Sequence, residues 1–241
     1  MINSYDLYLS ANDKINSDEN GSFSFMKFNR SSWIAQLKLI DWISGDISGI
    51  VPPEPYKTQK NRDYLSPFIT KYPKQVEAGI IEKPSDYYLW DNAYLLGDYK
   101  DSVDCGNEDV VKIAGCNTPI TLLSSDVFYT RCHTYIVGLQ PSFKKPIAKG
   151  IGNTFEFLPM DLGSVTIEYV RYPVRGKIGV KLDPIYNEEV YDPATSVDFE
   201  WAAYAQDLLA WFIADEFSNW TREQALKQFN AATGKTVREA K

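Results

Sequence analysis

The stretch SVDFEWAAYAQDLLAWFIADEF, residues 196–217, decides how the rest of the chain is read. Trp201, Ala205, Leu208, Leu209 and Phe212 recur at helical spacing and predict one apolar stripe. Asp198 and Glu200 stand near its start, where the helix dipole favours anions. The run NWTREQALKQFNAATG, residues 219–234, predicts a second helix, with Thr221 and Gln224 as a capping box and Gly234 as its stop. Residues 194–234 therefore read as C-terminal helices, and 235–241 as a charged, frayed tail.

The opposite end of the chain supplies a helical partner. Trp33, Ile34, Leu37, Ile40 and Ile43 make an apolar stripe over residues 24–44, with Ser24 able to cap its start and Gly45 its end. A shorter helix is expected over residues 5–15. Between them, NSDENGSFSFMK (16–27) resembles a calcium loop: Asn16, Asp18 and Asn20 fall at positions one, three and five, and Gly21 at six. Position twelve needs a bidentate Glu and holds Lys27, so a polar turn without calcium is expected. Residues 1–45 thus read as a helical hairpin.

Residues 46–86 carry prolines at 52, 53, 55, 67, 73 and 84. Proline removes backbone donors and pushes its predecessor towards extended conformations. An irregular, surface-running arm is expected, with a short helical turn in RDYLSPFITKY. Over 87–185 the period becomes two. DYYLWDNAYLL, VVKIAG, ITLLS, TYIVGLQ, TFEFLP and VTIEYVRYP are short, rich in β-branched and aromatic residues, and bounded by turn formers. An antiparallel β domain follows, with no long helix to make parallel crossovers. The fold class read from the sequence is α+β: a helical bundle from the N- and C-terminal helices with an inserted antiparallel β domain.

With 241 residues the chain can bury a proper core. Its net charge of −7 counts against gripping DNA or an anionic membrane, either of which needs a basic face. No apolar run of membrane-spanning length occurs, and the N-terminus does not read as a signal peptide. Cys105, Cys116 and Cys132 are too widely and irregularly spaced for a disulfide framework or a structural zinc site. They read as inert thiols in a reducing cytoplasm.

The remaining motifs carry no chemistry. ATGKT (232–236) ends like a phosphate loop, but Phe229 stands where the motif needs glycine, and a helix precedes it. Gly150 and Gly152 read as turn residues. His133, the single histidine, lies in a strand-like run. Asp161, Glu168 and Asp183 are scattered without pairing. The reading assigns no catalytic, cofactor-binding or metal residues and no cofactor, and it expects no enzyme.

One resemblance goes further. KINSDENGSFSFMKFNRSSWIAQLKLID looks like the start of structural proteins of crAss-like bacteriophages. QKNRDYLSPFI and EKPSDYYL are similar to a pattern in the same proteins, through Asp63, Leu65, Pro67 and Phe68, then Pro84, Asp86 and Tyr87. GNTFEFLPMDLGSVTIEYVRYP resembles their strand pair ending in Tyr169, Arg171 and Pro173, and SVDFEW matches through Asp198, Glu200 and Trp201. The resemblance implies a head-to-tail connector, also called an adaptor or ring protein. It implies about a dozen copies closed into a ring by heterologous contacts. The implied partners are further copies of the chain, the portal protein, other connector or tail ring proteins, and DNA that passes without sequence-specific binding. The implied place is the virion's head–tail junction, after assembly in the bacterial cytoplasm. Two other classes stay open: a tail-associated glycan- or receptor-binding protein, whose aromatic β block stacks on sugars, and a small enzyme with no recognisable motif. Host, ring position and subunit count are not legible.

Overall fold

A computed structural model describes residues 1–17, 23–45, 59–96, 118–134, 136 and 140–239. In chain order its elements are α1 (Ser4–Ser17), α2 (Phe25–Ser44), α3 (Gln59–Leu65), β1 (Ile69–Gln75), β2 (Ile80–Glu82), β3 (Tyr87–Leu96), β4 (Thr118–Pro119), β5 (Thr121–Leu122), α4 (Ser125–Cys132), β6 (Ile147–Ile151), β7 (Thr154–Leu158), β8 (Ser164–Arg171), β9 (Lys177–Leu182), β10 (Glu189–Val197) and, after a 3-10 turn at Ala203–Ala205, α5 (Gln206–Glu239). The fold is α+β. The chain divides into a helical unit, residues 1–67 with 173–241, and a β unit, residues 68–172.

In the helical unit, Asn3 starts α1 by accepting from the Tyr5 and Asp6 N–H groups at 2.9 and 3.2 Å. Leu7, Ala11 and Ile15, four residues apart, are fully buried. The ends of α2 fall where the sequence puts them: Ser24 Oγ accepts from Lys27 N, and Gly45 closes the helix at φ +80°. Its buried face differs from the expected stripe. Phe28, Ser31, Ser32, Ala35, Gln36, Leu39, Ile40 and Ile43 are buried, while Trp33, Ile34 and Leu37 are only half-buried. Small residues at the seam let a neighbouring helix approach closely, and the larger ones flank it.

Both opening helices lie against α5. Phe23 meets Phe217 with tilted rings whose centres are 4.8 Å apart, and Trp42 meets Phe212 edge-on at 6.0 Å. Lys14 pairs with Asp207 at 2.7 Å, and Lys38 with Glu216. Instead of two helices, α5 is one unbroken helix. Thr221 does not cap a new start: its hydroxyl donates to the Phe217 carbonyl at 3.0 Å, the back-bond of a helix interior. Gly234 lies inside the helix, and residues 235–239 continue it, so the expected stop and frayed tail do not begin there. Trp201 precedes the helix and is fully buried, its Nε1 donating to Gln36 Oε1 at 3.3 Å.

The antiparallel hairpin β9–β10 belongs to this unit, so the β block ends earlier than the expected residue 185. Asn29 on α2 holds its base, donating to the Ile178 carbonyl at 2.9 Å and accepting from Ile178 N at 2.7 Å. The ladder shifts register between Asp192 and Val197. There a Cβ on Gly179 would lie 2.1 Å from Thr195 Oγ1, so glycine is required by close approach.

The β unit starts at Phe68, earlier than the expected residue 87. Residues 46–58 of the expected arm lie outside the described residues, but from Gln59 onward that stretch is regular, carrying α3, β1 and β2. Pro73 does not break β1, because β1 is an edge strand where a missing donor is tolerated. One sheet has the order β1–β8–β3–β4, the other β2–β7–β6–β5. All pairs are antiparallel except β5–β6, which are parallel and joined through α4. Phe155, Phe157, Ala148 and Ile81 of one sheet share a core with Ala93, Val165, Ile167 and Tyr169 of the other. The expected strand in VVKIAG, with Cys105 and Cys116, lies outside the described residues, as does most of TYIVGLQ.

Candidate functional site

The β unit carries an open cleft of about 470 Å³. Its floor is Lys149, placed by β6 and only 1% exposed. A buried ammonium needs partners. Lys149 Nζ lies 2.7 Å from the Tyr129 hydroxyl and 2.8 Å from Glu156 Oε2. It also sits over the rings of Tyr129 and Phe128, 3.9 and 4.7 Å from their centres. Two faces of α4 thus meet one charge from β6, and Glu156 reaches it from the neighbouring strand β7.

Burial alone draws the Lys149 pKa down. The hydrogen bonds and charges of Glu156 and Tyr129 together outweigh it, and the pKa stands above its ordinary value. Lys149 is therefore a charged strut and not a neutral amine nucleophile.

Cys132 and His133 also line this cleft. His133 is not in a strand: its backbone N–H donates to the Tyr129 carbonyl and closes α4. Cys132 is a free, half-buried thiol. Burial pushes its pKa up, and the nearby Lys149 charge only partly offsets this. No hydrogen bond joins its thiol to the His133 imidazole among the described residues. The cleft thus holds an ammonium, a carboxylate, a phenol, a thiol and an imidazole, with Ile80 and Met160 at its rim, but no activated nucleophile.

The other residues singled out in the sequence are not brought together. Glu168 pairs with Lys71 at 3.0 Å, Asp183 builds a turn in the helical unit, and Asp161 is exposed; Gly152, at φ +51°, is a turn residue as expected, but Gly150 lies within β6. Asp18, Asn20 and Gly21 lie outside the described residues. Among the described residues, no cluster of three or more metal-ligating side chains occurs, and no helix is long and apolar enough to cross a membrane.

The residues that carry the resemblance act as structural ties. Asp86 Oδ1 accepts from the Tyr169 hydroxyl at 2.8 Å, and its carbonyl accepts from Tyr172 N. The Arg171 guanidinium stands 6.0 Å from the Phe68 ring centre. In the helical unit Asp198 accepts from Ser4 N at 3.0 Å, Glu200 from Val174 N at 2.8 Å, and the Asp63 carbonyl from the Tyr204 hydroxyl at 2.6 Å. Sequence reasoning missed Lys149 and Tyr129, because the sheet and α4, not any spacing, bring them together. No protein-family model matches the chain, and no curated protein matches it.

Proposed function

We propose that this chain is a structural subunit of a phage head-to-tail connector, one of the ring proteins through which DNA leaves the capsid. In this reading the helices of the two chain ends form a bundle that carries the β unit as an insertion. The observation that carries the reading is the shared use of both ends. Residues 1–67 and 173–241 make one unit, while the residues between make another. Ile2 and Phe199 exchange backbone hydrogen bonds at 2.9 Å, tying the first residues to the stretch before α5. Exposed aromatics on the helical unit, Tyr204 and Trp211 at 56% each, add to the support, since such rings favour interfaces. The net charge of −7 suits a channel that lets phosphate slide past. Electron microscopy of the protein incubated with its portal tests the reading: closed rings are expected, and a protein that stays monomeric beside the portal overturns it.

The β-unit cleft favours a second reading, a tail protein that binds glycans, because the half-exposed Tyr129 ring faces open space. Glycan capture lost in Tyr129→Ala would replace the first reading with this one.

A further inference from the structure

The hairpin β9–β10 ends in a built tip. Asp183 Oδ1 accepts from Ile185 N at 2.7 Å and from Tyr186 N at 3.2 Å. Asp183 N donates to the Glu188 carbonyl and Asn187 N to the Asp183 carbonyl, both at 2.9 Å. Asn187 takes the left-handed conformation, φ +54°, that the turn requires. A tip whose backbone is satisfied in this way keeps its shape. It holds Leu182, Ile185 and Tyr186 out at 62, 79 and 73% exposure. Beside them stand Asp183, Glu188 and Glu189, with no lysine or arginine between residues 182 and 190. The tip is apolar and triply acidic.

The same unit carries a groove of opposite character. The first turns of α2 and the middle of α5 line a hollow of about 120 Å³ with Met26, Lys27, Arg30, Ser31 and Trp220. That is the space of roughly four waters at ~30 Å³ each, enough for one large apolar side chain. Met26 is 73% exposed. The Arg30 guanidinium stands 5.6 Å from the Trp220 ring centre, and Lys27 Nζ 5.5 Å from that of Phe217. The groove is apolar and doubly basic.

We propose that the tip of one copy docks in this groove of the next, with Tyr186 or Ile185 in the hollow and Glu188 and Glu189 against Arg30 and Lys27. The proposal rests on the ring reading and names its head-to-tail contact. Asn29 clamps the hairpin at Ile178, and the tip projects roughly 13 Å beyond, at ~3.3 Å per residue, with Ile185 and Tyr186 exposed. Because tip and groove differ, the contact is heterologous and can close a ring. Three side chains bury on the order of a few hundred Å², well short of the ~1,200–2,000 Å² of a stable interface. One contact alone therefore leaves the subunit monomeric, and closure needs the rest of the ring or a template.

The test uses the full chain on its portal, with rings counted by electron microscopy and self-association followed by sedimentation. Tyr186→Asp and Arg30→Glu alter exposed positions, so circular dichroism should be unchanged. Each is expected to weaken association by about 30-fold or more, the loss of one interface anchor, and to abolish rings. An equal mixture of the two variants keeps one intact contact per pair, too little to hold the pair together, and should also give no rings. Arg30→Glu and Lys27→Glu combined with Glu188→Lys and Glu189→Lys, which reverse both pairs, should recover rings. Rings in wild type and in both single variants alike overturn the contact and leave the ring reading standing. No ring in wild type overturns both.

Discussion

The two units spend their side chains differently. The helical unit is packed with large rings, Phe23, Phe28, Phe199, Trp201 and Phe217, all buried, and it leaves Met26, Ile185, Tyr186, Tyr204 and Trp211 outside. The β unit buries an ammonium, Lys149, and holds two tyrosines in the neutral state. The exposed side chains of the helical unit are large and apolar, the kind of surface that marks a contact site. In the β unit the Lys149 ammonium finds its partners inside, in Tyr129 and Glu156, while the Thr166 hydroxyl is buried without a hydrogen bond among the described residues. On the proposed reading the helical unit contacts neighbours, while Lys149, Tyr129 and Glu156 tie the β unit internally.

The sharpest way to break the comparison is Trp201→Ala. The cavity should cost about 3–5 kcal/mol, a large part of a typical domain's stability. Hydrogen exchange should show the helices losing protection before β3 and β8. Equal loss in both would mean that the two units fold as one.

A smaller effect tests the buried charge. Glu156→Leu strands the Lys149 ammonium. Full burial of both partners would make that about 3–5 kcal/mol, but the Glu156 side chain is 38% exposed, so about 2 kcal/mol is expected. Lys149→Met removes the charge while keeping the volume, and should cost about 1 kcal/mol or less. Urea midpoints in the reverse order would show that the ammonium, not its carboxylate, carries the cleft.

The smallest effect is a pH dependence. Burial raises the Tyr87 pKa from 10.0 to about 12. Burial, and then the hydrogen bond to Asp86, raise Tyr169 from 10.0 to about 12. A folded pKa above the unfolded one gives stability that is fully present below pH 10 and is lost as pH rises towards 12. The urea midpoint of the β unit should fall over that window, and Tyr87→Phe should flatten the fall. A midpoint that rises there would contradict the burial of these phenols.

Local signals made α2 legible down to its caps, because Ser24 and Gly45 satisfy the helix ends by themselves. Signals that depend on distant packing misled. Thr221 and Gln224 look like a helix start, yet nothing interrupts α5 there, and the hydroxyl simply bonds within the helix. The prolines suggested an arm, but edge position makes Pro73 harmless in β1. The cleft was not legible at all. Tyr129, Lys149 and Glu156 become neighbours only through sheet pairing and the docking of α4.

The locked base of the hairpin has a consequence for how this chain can change over time. With Gly179 and the register shift pinning the root, the strand ends beyond it are free to vary in length. Side chains alternate faces along a strand, so adding one residue to each arm would turn the protruding side chains over. Adding two to each would leave them facing as before and move them outward by ~6.6 Å. Reach can therefore evolve in even steps, without any change to the helices below.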